Sequence, residues 1–273
     1  MITWQFLLIE NDGVRELPEG VFGNVTFEAI IIFHAAVAAV HPSALLPSKD
    51  RLYHVQIYFS GLAEFPWEVL PELTHLYYMD LRNNYLTDLP PVLSPSLTTL
   101  DLGGNQITRL EYNWSAPNLT VLSFDYSPMS EVQHEFFWGL PNLEQFWCLS
   151  CKLGQTILNG TLAFHSPALD LVSLEQSTIS SLESHAITGF TVNASIRLSG
   201  NQISELTEES IRPMLQVLSS GVGYIDLAEN PVECTCSMAW IVLNPGFLGS
   251  VKGQCTDGTD FQDLDPEIFQ GCI

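Results

Sequence analysis

Positive charge is scarce in this chain. Nine Lys and Arg stand against 31 Asp and Glu among 273 residues, a formal net charge of −22. Three lysines and six arginines are too few to build the clustered cations that phosphate backbones require, so nucleic acid is excluded as a partner. An anionic membrane surface is excluded by the same repulsion. Long apolar runs are absent too. The nearest, Ala29 to Val40, carries His34 and falls short of the roughly 20 residues that span a bilayer. No basic leader precedes an apolar stretch at Met1-Ile-Thr-Trp4, and Glu10 follows soon after, so no signal peptide is read there. Because other features below point to export, the chain is expected to lack sequence that its gene encodes upstream.

Catalytic vocabulary is equally thin. There is no Gly-x-Ser-x-Gly elbow, no His-Glu-x-x-His pair, and no phosphate loop ending in Gly-Lys-Ser/Thr. The seven histidines (34, 41, 54, 75, 134, 165 and 185) are scattered without ligand spacing. The acidic tail Asp257, Asp260, Asp263, Asp265 and Glu267 lacks the spacing of a calcium loop and reads as a solvated charge run. Gly103-Gly104-Asn105 belongs to the periodic pattern described next. No catalytic residue, metal or cofactor is expected, and the chain reads as a binding protein rather than an enzyme.

What the sequence has is a repeat. Leu76-x-x-Met79-x-Leu81-x-x-Asn84-x-Leu86 is followed by Leu97-x-x-Leu100-x-Leu102-x-x-Asn105-x-Ile107, and Ile196-x-Leu198-x-x-Asn201-x-Ile203 restates the core of the phrase. This is similar to the leucine-rich-repeat pattern of the animal extracellular class. In that register the Asn slot is filled by Asp12, Ala35, Ser60, Asn84, Asn105, Ser127, Cys151, Ser177, Asn201 and Asn230, spaced by 21 to 29 residues. The inward pair before each slot is apolar throughout, from Leu7/Ile9 and Ile30/Ile32 to Ile225/Leu227. Each repeat supplies one short parallel strand and a returning loop, and stacked neighbours bury what one repeat cannot. The expected fold is an α/β solenoid: a leucine-rich-repeat horseshoe of about ten repeats, with strands on the concave face. The domain reading is residues 1–230 as solenoid and 231–273 as a cysteine cap.

The cap reading rests on Cys234-Thr-Cys236, Cys255 and Cys272, which directly follow the last repeat. An open solenoid end would expose its core. Four cysteines allow three pairings, and C-x-C is an unusual zinc spacing, so disulfides are favoured over a metal. Cys148 and Cys151 form a C-x-x-C, but the register places one inward and the other in the Asn slot; they are read as two buried, inert thiols. Five sequons, at Asn24, Asn113, Asn118, Asn159 and Asn193, join the cap in pointing to the secretory route. Asn193 stands at a predicted strand start and is the least suited of the five to modification.

Register also predicts which strand residues line the concave wall. Phe6, Leu8, Ile31 and Phe33 make its first part apolar, with His54, Tyr58 and Tyr78 beside them and Trp147 further along. Upstream sequence folded over Phe6 and Ile31 is an equal alternative there. Asp80, Asp101 and Asp125 form a column next to the tyrosines. The partner-binding candidates are therefore Tyr58, Tyr78, Asp80, Asp101, Asp125 and Trp147, and the partner expected on this wall is a protein with a basic patch.

A closer resemblance lies at the C-terminus. Glu229-Asn-Pro-Val-Glu-Cys-Thr-Cys-Ser-Met-Ala-Trp-Ile-Val-Leu-Asn-Pro245, then Gln254-Cys-Thr-Asp-Gly-Thr259 and Phe261-Gln-Asp-Leu-Asp-Pro-Glu-Ile-Phe-Gln-Gly-Cys272, resembles the non-catalytic leucine-rich-repeat subunits of the Oplophorus luciferase type, with arthropod relatives. It covers about the last 45 residues; the remaining repeats match as a class. The cap family implies pairing of Cys234 with Cys255 and of Cys236 with Cys272. Val232 and Thr235 stand where Trp and Asp are common in adhesion-receptor caps, a departure that fits the arthropod group better. The resemblance implies a secreted protein without luciferase activity that stabilises a small catalytic subunit. The alternative is the ectodomain of a cell-surface adhesion or innate-recognition receptor.

Overall fold

In a computed structural model of the chain, residues 4–111 and 113–272 are described; Met1–Thr3, part of the stretch read as carrying no leader, lie outside them. The chain's contacts divide into two units, residues 1–143 and 144–273. In the first, six parallel strands follow one another: β1 (Gln5–Asn11), β2 (Ala29–Ala35), β3 (His54–Tyr58), β4 (Tyr78–Asp80), β5 (Thr99–Asp101) and β6 (Val121–Ser123). In the second, β7 (Gln145–Trp147), β8 (Leu171–Ser173), β9 (Ser195–Arg197), β10 (Tyr224–Asp226) and β11 (Val251–Lys252) do the same. The returns are short two-residue ladders and 3₁₀ turns, with one longer helix, α1 (Glu208–Leu218). This is the leucine-rich-repeat fold with short strands.

The inward pairs of the second to tenth repeats, such as Ile30/Ile32, Met79/Leu81 and Ile225/Leu227, are fully buried. The first repeat is a correction. Phe6 aligns with Ile30 and Leu8 with Ile32, so these two point inward, while Leu7 and Ile9 are 56% and 41% exposed. Phe6 packs on Phe22 and Phe27, with ring centroids 4.7 and 5.8 Å away. The slot residue is accordingly Asn11, whose Oδ1 accepts from the Gly13 and Val14 amides, and not Asp12. A one-residue slip exchanges the two faces of a strand.

Two devices recur at the strand exits, the first in the four repeats whose slot is one of Asn84, Asn105, Asn201 and Asn230. The slot asparagine bonds two repeats together: Asn84 accepts from the Ser60 and Leu62 amides and donates to the Ile57 and Leu81 carbonyls. Asn105, Asn201 and Asn230 bridge in the same manner. The residue just before the slot is left-handed in all ten repeats: Glu10, His34, Phe59, Asn83, Gly104 and Tyr126 in the first unit, Ser150, Gln176, Gly200 and Glu229 in the second. Gly104 and Gly200 fit that backbone without cost; a bulky residue such as Phe59 carries strain of about 1 kcal/mol or more.

At the C-terminal end, β11 pairs with β10 and presents Val251 beside Ile225. Met238, Ile241, Val242 and Phe261 are buried with it. Disulfides join Cys234 to Cys255 and Cys236 to Cys272, the pairing that the resemblance implied. Cys148 and Cys151 are also joined, which corrects their reading as inert thiols. Their Cα atoms lie 5.4 Å apart, within disulfide reach, because the chain turns left-handed at Ser150 between strand end and slot.

Candidate functional site

The candidate site is the outer face of the strands in the first unit. Strand pairing aligns its side chains in rows: Leu7, Ile31, Gln56, Asp80 and Asp101 in one, Ile9, Phe33 and Tyr58 in the next, and His54, Tyr78 and Thr99 in a third. Ile31, Phe33, Tyr58 and Tyr78 are half-buried, so the first three strands present a continuous apolar and aromatic surface. A contiguous exposed apolar face of this kind is the feature that makes it the candidate.

Its centre, at His54 and Tyr78, is partly buried. Burial lowers the His54 pKa below its ordinary 6.5, with Gln56 and Asp80 opposing more weakly. The His54 Nε2 atom has no hydrogen-bond partner among the described residues, and the ring packs against Tyr78 with centroids 4.5 Å apart. Burial also raises the Tyr78 hydroxyl and the Asp101 carboxyl. Folding thus favours neutral His54. Between the folded value and 6.5 the unfolded chain binds more protons at this residue, so its contribution to stability is present above pH 6.5 and is lost as pH falls through that window. In an NMR titration, one histidine resonance should shift below pH 6.5 and vanish in His54→Gln. A His54 titrating at or above 6.5 would contradict this packing.

The acidic column differs from its expected form. Asp80 is fully buried, and Arg82 grips it with two bonds, Nε to Oδ1 at 2.9 Å and Nη2 to Oδ2 at 2.7 Å. The Arg82 Nε also lies 3.3 Å from Asp101 Oδ2, and its own pKa is raised by these carboxylates. The chain therefore supplies the cation for which Asp80 and Asp101 were expected to recruit a partner. Asp125 does not belong to that row, which continues from Asp101 to Ser123; it is half-buried two residues further along the chain. Arg82→Gln should cost about 2 kcal/mol, since a buried carboxylate loses its cation while the half-exposed guanidinium was already screened. A thermal midpoint unchanged from wild type would refute that.

Trp147 lies in the second unit, half-buried, with Arg197 over its ring at 5.5 Å and its Nε1 donating to Gln145. All five sequon asparagines are exposed, Asn193 included, although its Oδ1 accepts from the Val222 amide. Two groups of surface residues went unread in the sequence: Leu7 and Ile9, through the slipped register, and the left-handed column with His34, Phe59 and Tyr126. The signal for the column was present, since Asn83, Gly104 and Gly200 hold the same place and are the residue types that favour this backbone.

No protein-family model matches the chain. Its sequence is 25% identical to the Oplophorus-luciferin 2-monooxygenase non-catalytic subunit of Oplophorus gracilirostris, over 98% of this chain and 75% of that protein. Among solved structures, it is similar to a chain of the Toll–Spatzle complex of Drosophila, with a TM-score of 0.61 and 16% identity over 97% of this chain. It spans 45% of that chain, less than half its length, and the likeness is one of fold. This protein has the leucine-rich-repeat fold, and along nearly its whole length its sequence is similar to that of a non-catalytic luciferase subunit.

Proposed function

We propose that this protein is an extracellular protein-binding scaffold, the non-catalytic member of a complex in which a smaller partner does the chemistry. The observation that carries the reading is the apolar strand face of the first unit, with Leu7, Ile9, Ile31, Phe33 and Tyr58 turned outward. The relative's name as a non-catalytic subunit supports it. Three disulfides and five exposed sequons support an extracellular setting. In this reading residues 1–230 form the binding body and residues 231–273 close its end.

The test is affinity capture of the tagged protein from its native extracellular fluid, beside a Leu7→Asp, Ile31→Asp, Tyr58→Ala variant. One small stoichiometric protein, held by the wild type and lost by the variant, is the expected result. Equal capture by both would overturn the site. Capture only by membrane-bound forms of the chain would favour a receptor ectodomain.

A further inference from the structure

Four rings form a block at the ends of β2 and β3. Phe33 stacks on Tyr58 with centroids 5.4 Å apart and planes 8° apart, and His34 stacks on Phe59 at 5.2 Å and 3°. Within each strand the neighbouring rings meet steeply, Phe33 with His34 at 73° and Tyr58 with Phe59 at 67°. The left-handed turns at His34 and Phe59, both at φ 49°, set the second ring of each strand beside the first. Phe59 is 52% exposed, and the block borders an open groove of roughly 770 Å³ that reaches Asp12, Arg15, Asn83 and Tyr85. Glu10 holds the left-handed place one repeat earlier and is exposed. Asn83, Gly104 and Gly200 occupy the equivalent place at lower cost elsewhere, and histidine tolerates it too, so of the two rings it is Phe59 that stands against the local backbone preference. Strain of this kind gathers at sites of function.

We infer that this four-ring block, with Glu10 and Asp12 beside it, seats an arginine side chain of the protein partner. The inference rests on the scaffold reading above and names the chemistry of its anchor. Aromatic faces attract a cation, a guanidinium is flat enough to lie on them, and a neighbouring carboxylate takes its N–H edge. The molecule already uses such pairs internally, with Arg197 over Trp147 and Lys252 over Tyr224. Among the described residues Arg15 is the one Lys or Arg lining the groove, whereas a net charge of −22 draws a cationic partner from a distance. The Asp80 column cannot do this, because Arg82 occupies it.

A fluorescein-labelled tetra-arginine peptide, titrated into the full chain at about 0.15 M salt and read by anisotropy, tests the site. The dissociation constant should rise about fivefold or more in Phe59→Asn and in a Glu10→Gln, Asp12→Asn variant, and tetra-lysine should bind more weakly than tetra-arginine. Asn suits the left-handed backbone, so Phe59→Asn should melt no lower than wild type, which separates lost binding from lost folding. Unchanged constants in both variants would assign the binding to diffuse charge and overturn the inference. Displacement of the peptide by maltohexaose, absent in Phe59→Asn, would overturn it in favour of a saccharide. A native partner captured equally by wild type and Phe59→Asn would sink the arginine seat and leave the scaffold reading standing. No partner with the wild type would sink the scaffold reading, and the peptide titration would still decide the block.

Discussion

Asn201→Ala is expected to destabilise the second unit by about 4 kcal/mol, as several buried backbone groups lose their partners together. The side chain accepts from the Ser177 and Ile179 amides at 2.9 and 3.0 Å and donates to the Leu174 and Leu198 carbonyls at 2.8 Å each. Those four groups belong to two successive repeats, and Asn201 is only 5% exposed. Alanine offers none of the bonds, and little water reaches the vacated place. Hydrogen exchange at the Ser177 and Ile179 amides should accelerate about a thousandfold, the factor that corresponds to 4 kcal/mol. Asn201→Ser should cost less, because Ser177 fills its own slot with bonds to Cys148 and Glu175 carbonyls. Exchange rates unchanged in Asn201→Ala would mean that the strand ladder alone holds the repeats.

Replacing Cys234, Cys236, Cys255 and Cys272 together by Ser is the second large effect. Loops of 21 and 36 residues constrain the unfolded chain by about 3 and 4 kcal/mol on the chain-entropy account. The loops overlap, so the joint loss is set at about 5 kcal/mol. The same substitution loosens the cover over Val251, Met238, Ile241 and Phe261, all fully buried. The expected result is a large fall in the urea midpoint. Removing the Cys148–Cys151 bond, which closes only three residues, should cost far less. A cap variant that unfolds at the wild-type midpoint would show that packing alone holds this end.

How far the sequence reached follows from where its pattern was unambiguous. From Val55 onward each inward apolar pair flanks a polar or aromatic residue and a slot closes each phrase, so register and core could be read directly. In the first repeat Phe6-Leu7-Leu8-Ile9 has no alternation, and Asn11-Asp12 offers two adjacent slot residues; only pairing with β2 distinguishes them. The same limit hid the site's electrostatics. Alternation placed Asp80 and Arg82 on one face, but not the fold-back that buries the carboxylate beneath the guanidinium. The Cys148–Cys151 bond escaped because inward and slot positions look separate in a linear register, whereas the left-handed residue between them brings the two sulfurs together.

That left-handed residue has a consequence for how such a chain can diverge. The core prescribes its backbone, at a modest strain for bulky residues, but leaves the chemistry of its side chain varied, as Glu10, His34, Phe59, Asn83, Gly104 and Tyr126 illustrate in six successive repeats of one unit. Each repeat therefore holds one position whose chemistry can be rewritten without touching the packed interior. Related proteins with the same interior but different partners should differ most there, and grafting the residues of this column between them should transfer binding preference while leaving the melting behaviour of the recipient nearly intact.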